Sequence, residues 1–227
     1  MTALKPLHGW RQFVGEVGVI VLGVLLALVA QQAAEAIQIR ADVKAFRQTI
    51  DREIALNLWI YDRRDAQFAC IKRRVAQLDQ LMGNYREGST VALADATYPR
   101  TFSPYSSAWD NRDGQIFEHL PAATRQKYAE FYDELANNEL MRNREREGWM
   151  ALVPYEQAGP LSIDDRRKLH FLSRALDRFN VAQKGNIEGS REIARALDIH
   201  PRKPDVIKPD DILDTQTCRT LVRQPGA

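Results

Sequence analysis

The densest group of residues with the types and spacing for chemistry is Trp109, Arg112 and Asp113, with His119 two turns further on. A guanidinium beside an indole could hold a small anion, the arginine acting as a donor fork and the ring as a wall. The plainer account puts Trp109 in a core and leaves Arg112 and Asp113 in water. An enzyme built here would need at least two of Asp113, Glu118 and His119 to converge in one cleft. Adjacent residues on a helix do not face each other, so Glu118-His119 alone makes no acid-base pair.

Elsewhere the chemistry is sparse. His8, His119, His170 and His200 are scattered, with no H-E-x-x-H and no pair of Glu-x-x-His segments, so neither a zinc nor a di-iron site is expected. G-x-x-x-x-G-K-[ST], G-x-G-x-x-G and G-x-S-x-G are also missing. We therefore expect no cofactor and no metal, name no catalytic residue, and favour a non-enzymatic role. Lys72, Arg73 and Arg74 could suggest a phosphate or nucleic-acid patch, but Asp65 and Asp79 flank them and the net charge is only +2. A solvated helix face is expected instead, with no nucleic-acid partner.

Cys70 and Cys218 form no C-x-x-C. Two free thiols are the simpler expectation. A disulfide pinning the tail to the first helix is the alternative if the domain faces an oxidising compartment.

These residues need elements to position them, and the clearest lies near the N-terminus. Residues 17 to 34 carry no charge and are apolar or small apart from Gln31 and Gln32. At about 1.5 Å per residue that run approaches the roughly 30 Å of a bilayer core. A signal peptide with cleavage near Ala34-Glu35-Ala36 competes, but Glu16 at the start of the run and the run's length favour a retained single-pass anchor. Gly23, Ala27, Ala30 and Ala34 follow 4, 3, 4 spacing, a stripe that would admit a second span from another molecule. The lipid bilayer, a second copy of the chain or another protein are thus the expected partners. Basic residues flank the run too evenly to orient it, with Lys5 and Arg11 before it and Arg40, Lys44 and Arg47 after it. A short N-terminus before a first apolar segment suggests a signal anchor with the domain outside the cytoplasm.

Val43, Phe46, Ile50, Ile54, Leu58, Tyr61, Phe68, Ile71, Val75, Leu78 and Met82 continue at helical spacing, and neither Gly nor Pro interrupts Val24 to Leu81. One helix should run from the anchor to Met82, stopped by Gly83-Asn84. Residues 83 to 104 read as a long loop with a helical piece at Val91 to Ala96. Ser106 to Leu120 reads as a short helix, and Pro121 opens the next. Residues 137 to 148 should be its solvated stretch. Ser162 to Asp165 resembles a capping box ahead of a last long helix, kinked or tightly packed at Gly185 and Gly189 and ended by His200-Pro201. An irregular tail follows, with a helical turn at Asp210 to Leu213. The chain thus divides into an N-terminal segment (1–13), a transmembrane helix (14–36), a helical bundle (37–200) and a tail (201–227). The fold class is all-α, a transmembrane helix continuous with a long helix packed in an antiparallel bundle.

Trp10-Arg-Gln-Phe-Val-Gly-Glu16 followed by Val19-Ile-Val-Leu-Gly-Val-Leu-Leu-Ala-Leu28 resembles the anchor of an uncharacterised family of bacterial single-span inner-membrane proteins, which reads E-x-x-x-I-x-x-G-V-L-x-A-L. Ala108-Trp109, Gly114, Leu120-Pro121 and Tyr128 are similar to that family's weaker downstream pattern. The resemblance implies an inner-membrane anchor with a helical region behind it. It implies no reaction.

Overall fold

The computed structural model describes residues 9–205 and 216–222. Its organising element is α1 (Trp10–Gly83), a single helix of 74 residues and so about 110 Å long. Its first part is exposed among the described residues: Val19, Leu22, Leu26 and Val29 are all more than half exposed. From Val43 onward α1 is the spine of an all-α domain. Two other long helices, α4 (Ala122–Met150) and α5 (Ile163–Ala196), pack with it, beside the short α2 (Ser107–Asp110) and α3 (Gly114–Glu118).

The direction of each helix follows from its polar cross-links. Tyr128 reaches Asp51, Asn138 reaches Tyr61 and Glu145 reaches Arg64, so α4 runs parallel to α1. Ser173 bonds Asp79, and Arg191 bonds Asp62 and Asp65, so α5 is antiparallel to both. A parallel pair requires a crossover, and residues 84–106 provide it by returning along the length of α1. Val91 and Leu93 are buried with Ala92 between them, a period of two that suits extended chain. The helical piece expected at Val91 to Ala96 is accordingly absent. Thr90–Val91 (β1) instead pairs antiparallel with Gly159–Pro160 (β2).

The apolar core is divided. A distal cluster joins Ile71, Val75 and Leu78 of α1 to Trp149 and Leu152, and to Leu169 and Leu176 of α5. A proximal cluster, nearer the exposed half of α1, joins Ile50, Ile54 and Leu58 to Tyr128, Phe131 and Leu135, and to Ile187 and Ala194. Between them lies a buried polar layer that includes Arg64, Glu145 and Gln183. Residues 137–148 were expected to be solvated, but α4 turns Asn138 and Glu145 into this layer, at 8% and 2% exposure.

The helix ends follow local chemistry. Ser162 and Asp165 form a reciprocal capping box at the start of α5. At its far end Asp198 adopts φ 60, and Ile199 N donates to Ala194 O while Asp198 N donates to Arg195 O, the Schellman arrangement. A methyl group at Gly185 or Gly189 would meet no neighbouring side chain or element within 4 Å. The two glycines are not a packing point, and α5 runs through both. The expected Ser106–Leu120 helix is split at Asp110, because Asp113 caps a new start at Gly114. Residues 216–222 dock on the distal cluster through the fully buried Leu221. The turn expected at Asp210 to Leu213 lies outside the described residues.

Candidate functional site

The residues singled out near Trp109 serve packing and capping. Trp109 stacks on Tyr132 with ring centroids 4.5 Å apart and meets Phe117 edge-on at 5.5 Å. The Arg112 guanidinium lies 4.0 Å from the Trp109 ring centroid and donates to the Trp109 carbonyl at 2.8 Å, so it covers the ring. Asp113 accepts from the backbone amides of Gln115 and Ile116. His119 lines a concavity of about 390 Å³ with Ala36, Ile39, Arg40 and Val43 of α1, which neither Asp113 nor Glu118 enters. The structure therefore does not bring Asp113, Glu118 and His119 together. Among the described residues no cluster of three potential metal ligands occurs.

Gly23, Ala27, Ala30 and Ala34 lie on the exposed half of α1. Cys70 and Cys218 are joined in a disulfide with Cα atoms 4.8 Å apart, which replaces the free thiols expected from sequence. The fold makes it reachable: Leu93 bridges Val222, and Leu221 N donates to the Gln77 side chain. The tail is thereby laid across the crossover, beside Cys70.

The most elaborate arrangement lies where α1 faces the crossover. Glu53, Asn57, Arg64, Gln67 and Arg74 are all buried and, with Ile60 and Ile71, follow 4, 3 spacing on one face of α1. They bind the returning backbone in order. Arg74 donates to Asp95 O and Thr97 O at 2.6 and 2.8 Å, and Gln67 to Arg100 O at 2.8 Å. Asn57 holds both N and O of Tyr105, at 2.8 and 2.7 Å. Glu53 accepts from Ala108 N at 2.8 Å and Trp109 N at 3.3 Å. Arg74, expected in water, is 1% exposed and lies 4.3 Å from the Trp149 ring centroid. Residues 93–106 are thus a strap fastened by side chains, with donors supplied to the carbonyls of Asp95, Thr97, Arg100 and Tyr105.

Behind the strap Arg64 donates to both oxygens of Glu145, at 2.8 and 2.7 Å, and Gln183 donates to Glu145 at 2.9 Å. This ion pair is almost wholly buried, with side chains 7% and 3% exposed. Burial, followed by the hydrogen bond to Glu53, pushes the Tyr132 hydroxyl far above its ordinary pKa. Burial likewise pushes Tyr61 up to about 12, against the lowering effect of hydrogen bonds to Ser190 and Asn138. Next to this layer lies a cavity of about 50 Å³ walled by Ile60, Leu135, Ile187 and Phe102, with Arg63, Arg64, Asn138 and Arg142 among its polar lining. Across the strap a second concavity of about 260 Å³ shares Arg100, Thr101 and Arg142 with it.

Fold and site together define a helical bundle on a helix long and apolar enough to cross a membrane. No family model matches the chain, and neither a curated protein nor a solved structure is significantly similar to it.

Proposed function

We propose that the chain is a single-span membrane protein of the bacterial inner membrane, its helical bundle outside the cytoplasm acting as a non-enzymatic interaction module. The observation that carries this reading is α1, whose apolar, exposed first part continues without a break into the spine of the bundle. Apolar side chains in that number have no partner in water and a ready one in lipid. The Cys70–Cys218 disulfide supports the outward orientation, since such bonds persist in oxidising compartments. The bacterial inner membrane comes from the resemblance of the anchor motif alone. Gly23, Ala27, Ala30 and Ala34 supply a face on which spans can pair, with a second copy as partner.

A reporter fused after Ala227 tests the orientation. A periplasm-active reporter should be active and a cytoplasm-active one silent, and the opposite pattern would sink the outward placement. Cysteines placed at Gly23 and Ala27 should crosslink between copies in membranes. A span that yields only monomer and copurifies with nothing would remove the interaction role.

A further inference from the structure

The concavity that His119 shares with α1 lies at the foot of the bundle, where the exposed part of that helix gives way to packed structure. Ala36, Ile39, Arg40 and Val43 form its α1 side. Phe46 meets Phe117 edge-on, with ring centroids 6.2 Å apart, which sets α3 beside this part of α1 and leaves His119 at the turn from α3 to α4. With the span ending at Ala36, Arg40 stands about 6 Å further along the axis, within a headgroup layer roughly 5–7 Å deep. The concavity then opens at the depth of the lipid phosphates, on whichever side of the membrane the bundle stands. This placement rests on the reading of α1 as a membrane span.

Charge and size narrow the choice of occupant. Ala36, Ile39 and Val43 make an apolar wall, and Arg40 and His119 are the only ionisable groups of the lining. Arg47 is held by Asp51, whereas neither Arg40 nor Lys44, one turn on, makes an ion pair among the described residues. The acidic groups nearby lie outside the lining. Glu35 and Asp42 accept from Gln31 and Gln38 on α1, Asp113 caps α3, and Glu118 does not enter. A guanidinium and an imidazole both offer N–H donors, the imidazole in either protonation state. Their complement is the set of acceptor oxygens on an anion. The volume of about 390 Å³, against roughly 10–15 Å³ for one water in the same measure, exceeds what an inorganic phosphate fills. It leaves room for the glycerol that joins a lipid phosphate to its acyl chains.

We propose that this concavity holds the phosphodiester headgroup of a membrane phospholipid, its oxygens accepting from Arg40 and His119 and its glycerol lying on Ala36 and Ile39. The probes are phosphatidylglycerol and the diacylglycerol with the same acyl chains, which lacks the phosphate. Each is added to the full chain in detergent micelles, and the lipids retained are counted by native mass spectrometry. One phosphatidylglycerol should bind saturably, and diacylglycerol about tenfold more weakly. Arg40→Met should weaken phosphatidylglycerol about tenfold and His119→Ala about fivefold. Lys44→Met, outside the lining, should stay within about threefold of the wild type. Should His119→Ala melt below the wild type, Arg40→Met decides, because Arg40 is exposed on α1. Equal binding of the two lipids overturns the proposal. So does a loss in Lys44→Met as large as in Arg40→Met, the mark of a diffuse basic collar, or displacement of the lipid by millimolar inorganic phosphate, the mark of a site for the free anion. A dimer that retains no lipid would assign the concavity to a second copy and overturn it as well. Extraction of membranes with alkaline carbonate separates the site from the span. A chain released by it overturns both, and a retained chain without the lipid preference overturns the site alone.

Discussion

Arg64 and Glu145 show how much a single buried pair can decide. Both are nearly solvent-free, so removing one partner strands the other charge. Arg64→Met should destabilise the bundle by about 3–5 kcal/mol, whereas the double replacement Arg64→Met with Glu145→Leu should recover most of that loss. Urea unfolding of the two variants measures the difference, and equal instability in both would refute the pairing argument. The tyrosines set an alkaline limit. Tyr61 has its pKa raised to about 12 in the fold, and its unfolded value is near 10. The neutral phenol is therefore favoured by folding. Its contribution is complete below about pH 10 and is lost as pH rises from there through about 12. At the acid end, the Ser162 hydroxyl and amide hydrogen bonds lower the Asp165 pKa, so stability is lost as pH falls below the ordinary carboxylate range. Melting temperature against pH should show a plateau between those limits. Tyr61→Phe should shrink the alkaline loss.

Among the elements, those written in local pattern were legible in the sequence. α1 could be read from an unbroken apolar period, and the start of α5 from Ser162 and Asp165. The strap could not, because it is held by polar residues of α1 that look like a solvated face when read singly. Arg74 beside Lys72 and Arg73 is the clearest case. Its charge argues for water, and only the carbonyls of Asp95 and Thr97, distant in sequence, draw it inside. The available signal was the 4, 3 spacing of Glu53, Asn57, Ile60, Arg64, Gln67, Ile71 and Arg74, a second and mostly polar seam beside the apolar one. The polar layer was hidden for the same reason: Asn138 and Glu145 sit in a charged stretch of α4. Trp109 was visible as an aromatic, but whether it walls a pocket or packs on Tyr132 depends on a long-range contact. The end of α5 offers a test at this scale. Asp198 holds the left-handed position where glycine is favoured, so Asp198→Gly should stabilise the domain by about 1 kcal/mol. Thermal melting would register it as an upward shift, and a fall would show that the Asp198 side chain contributes more than its backbone costs.

For the molecule as a whole, the disulfide closes a long loop, with partners separated by 148 residues. Cys218→Ser should cost about 2–5 kcal/mol. It should also make the docked segment at 216–222 open to protease, while α1, α4 and α5 keep their packing. Reductant should reproduce both effects in the native protein and leave the variant unchanged. A reductant effect equal in both would assign the loss to some other cause.

The unbroken course of α1 makes the count of residues between the span and the bundle a setting of angle. With 3.6 residues per turn, each residue added or removed there turns the domain about 100° around the helix axis and moves it about 1.5 Å along it. The bearing of the strap relative to Gly23 and Ala27 is therefore written in chain length rather than in any contact. If spans pair through that stripe, the sides that two bundles turn toward each other are fixed by the same count, as a key fixes a wheel on an axle.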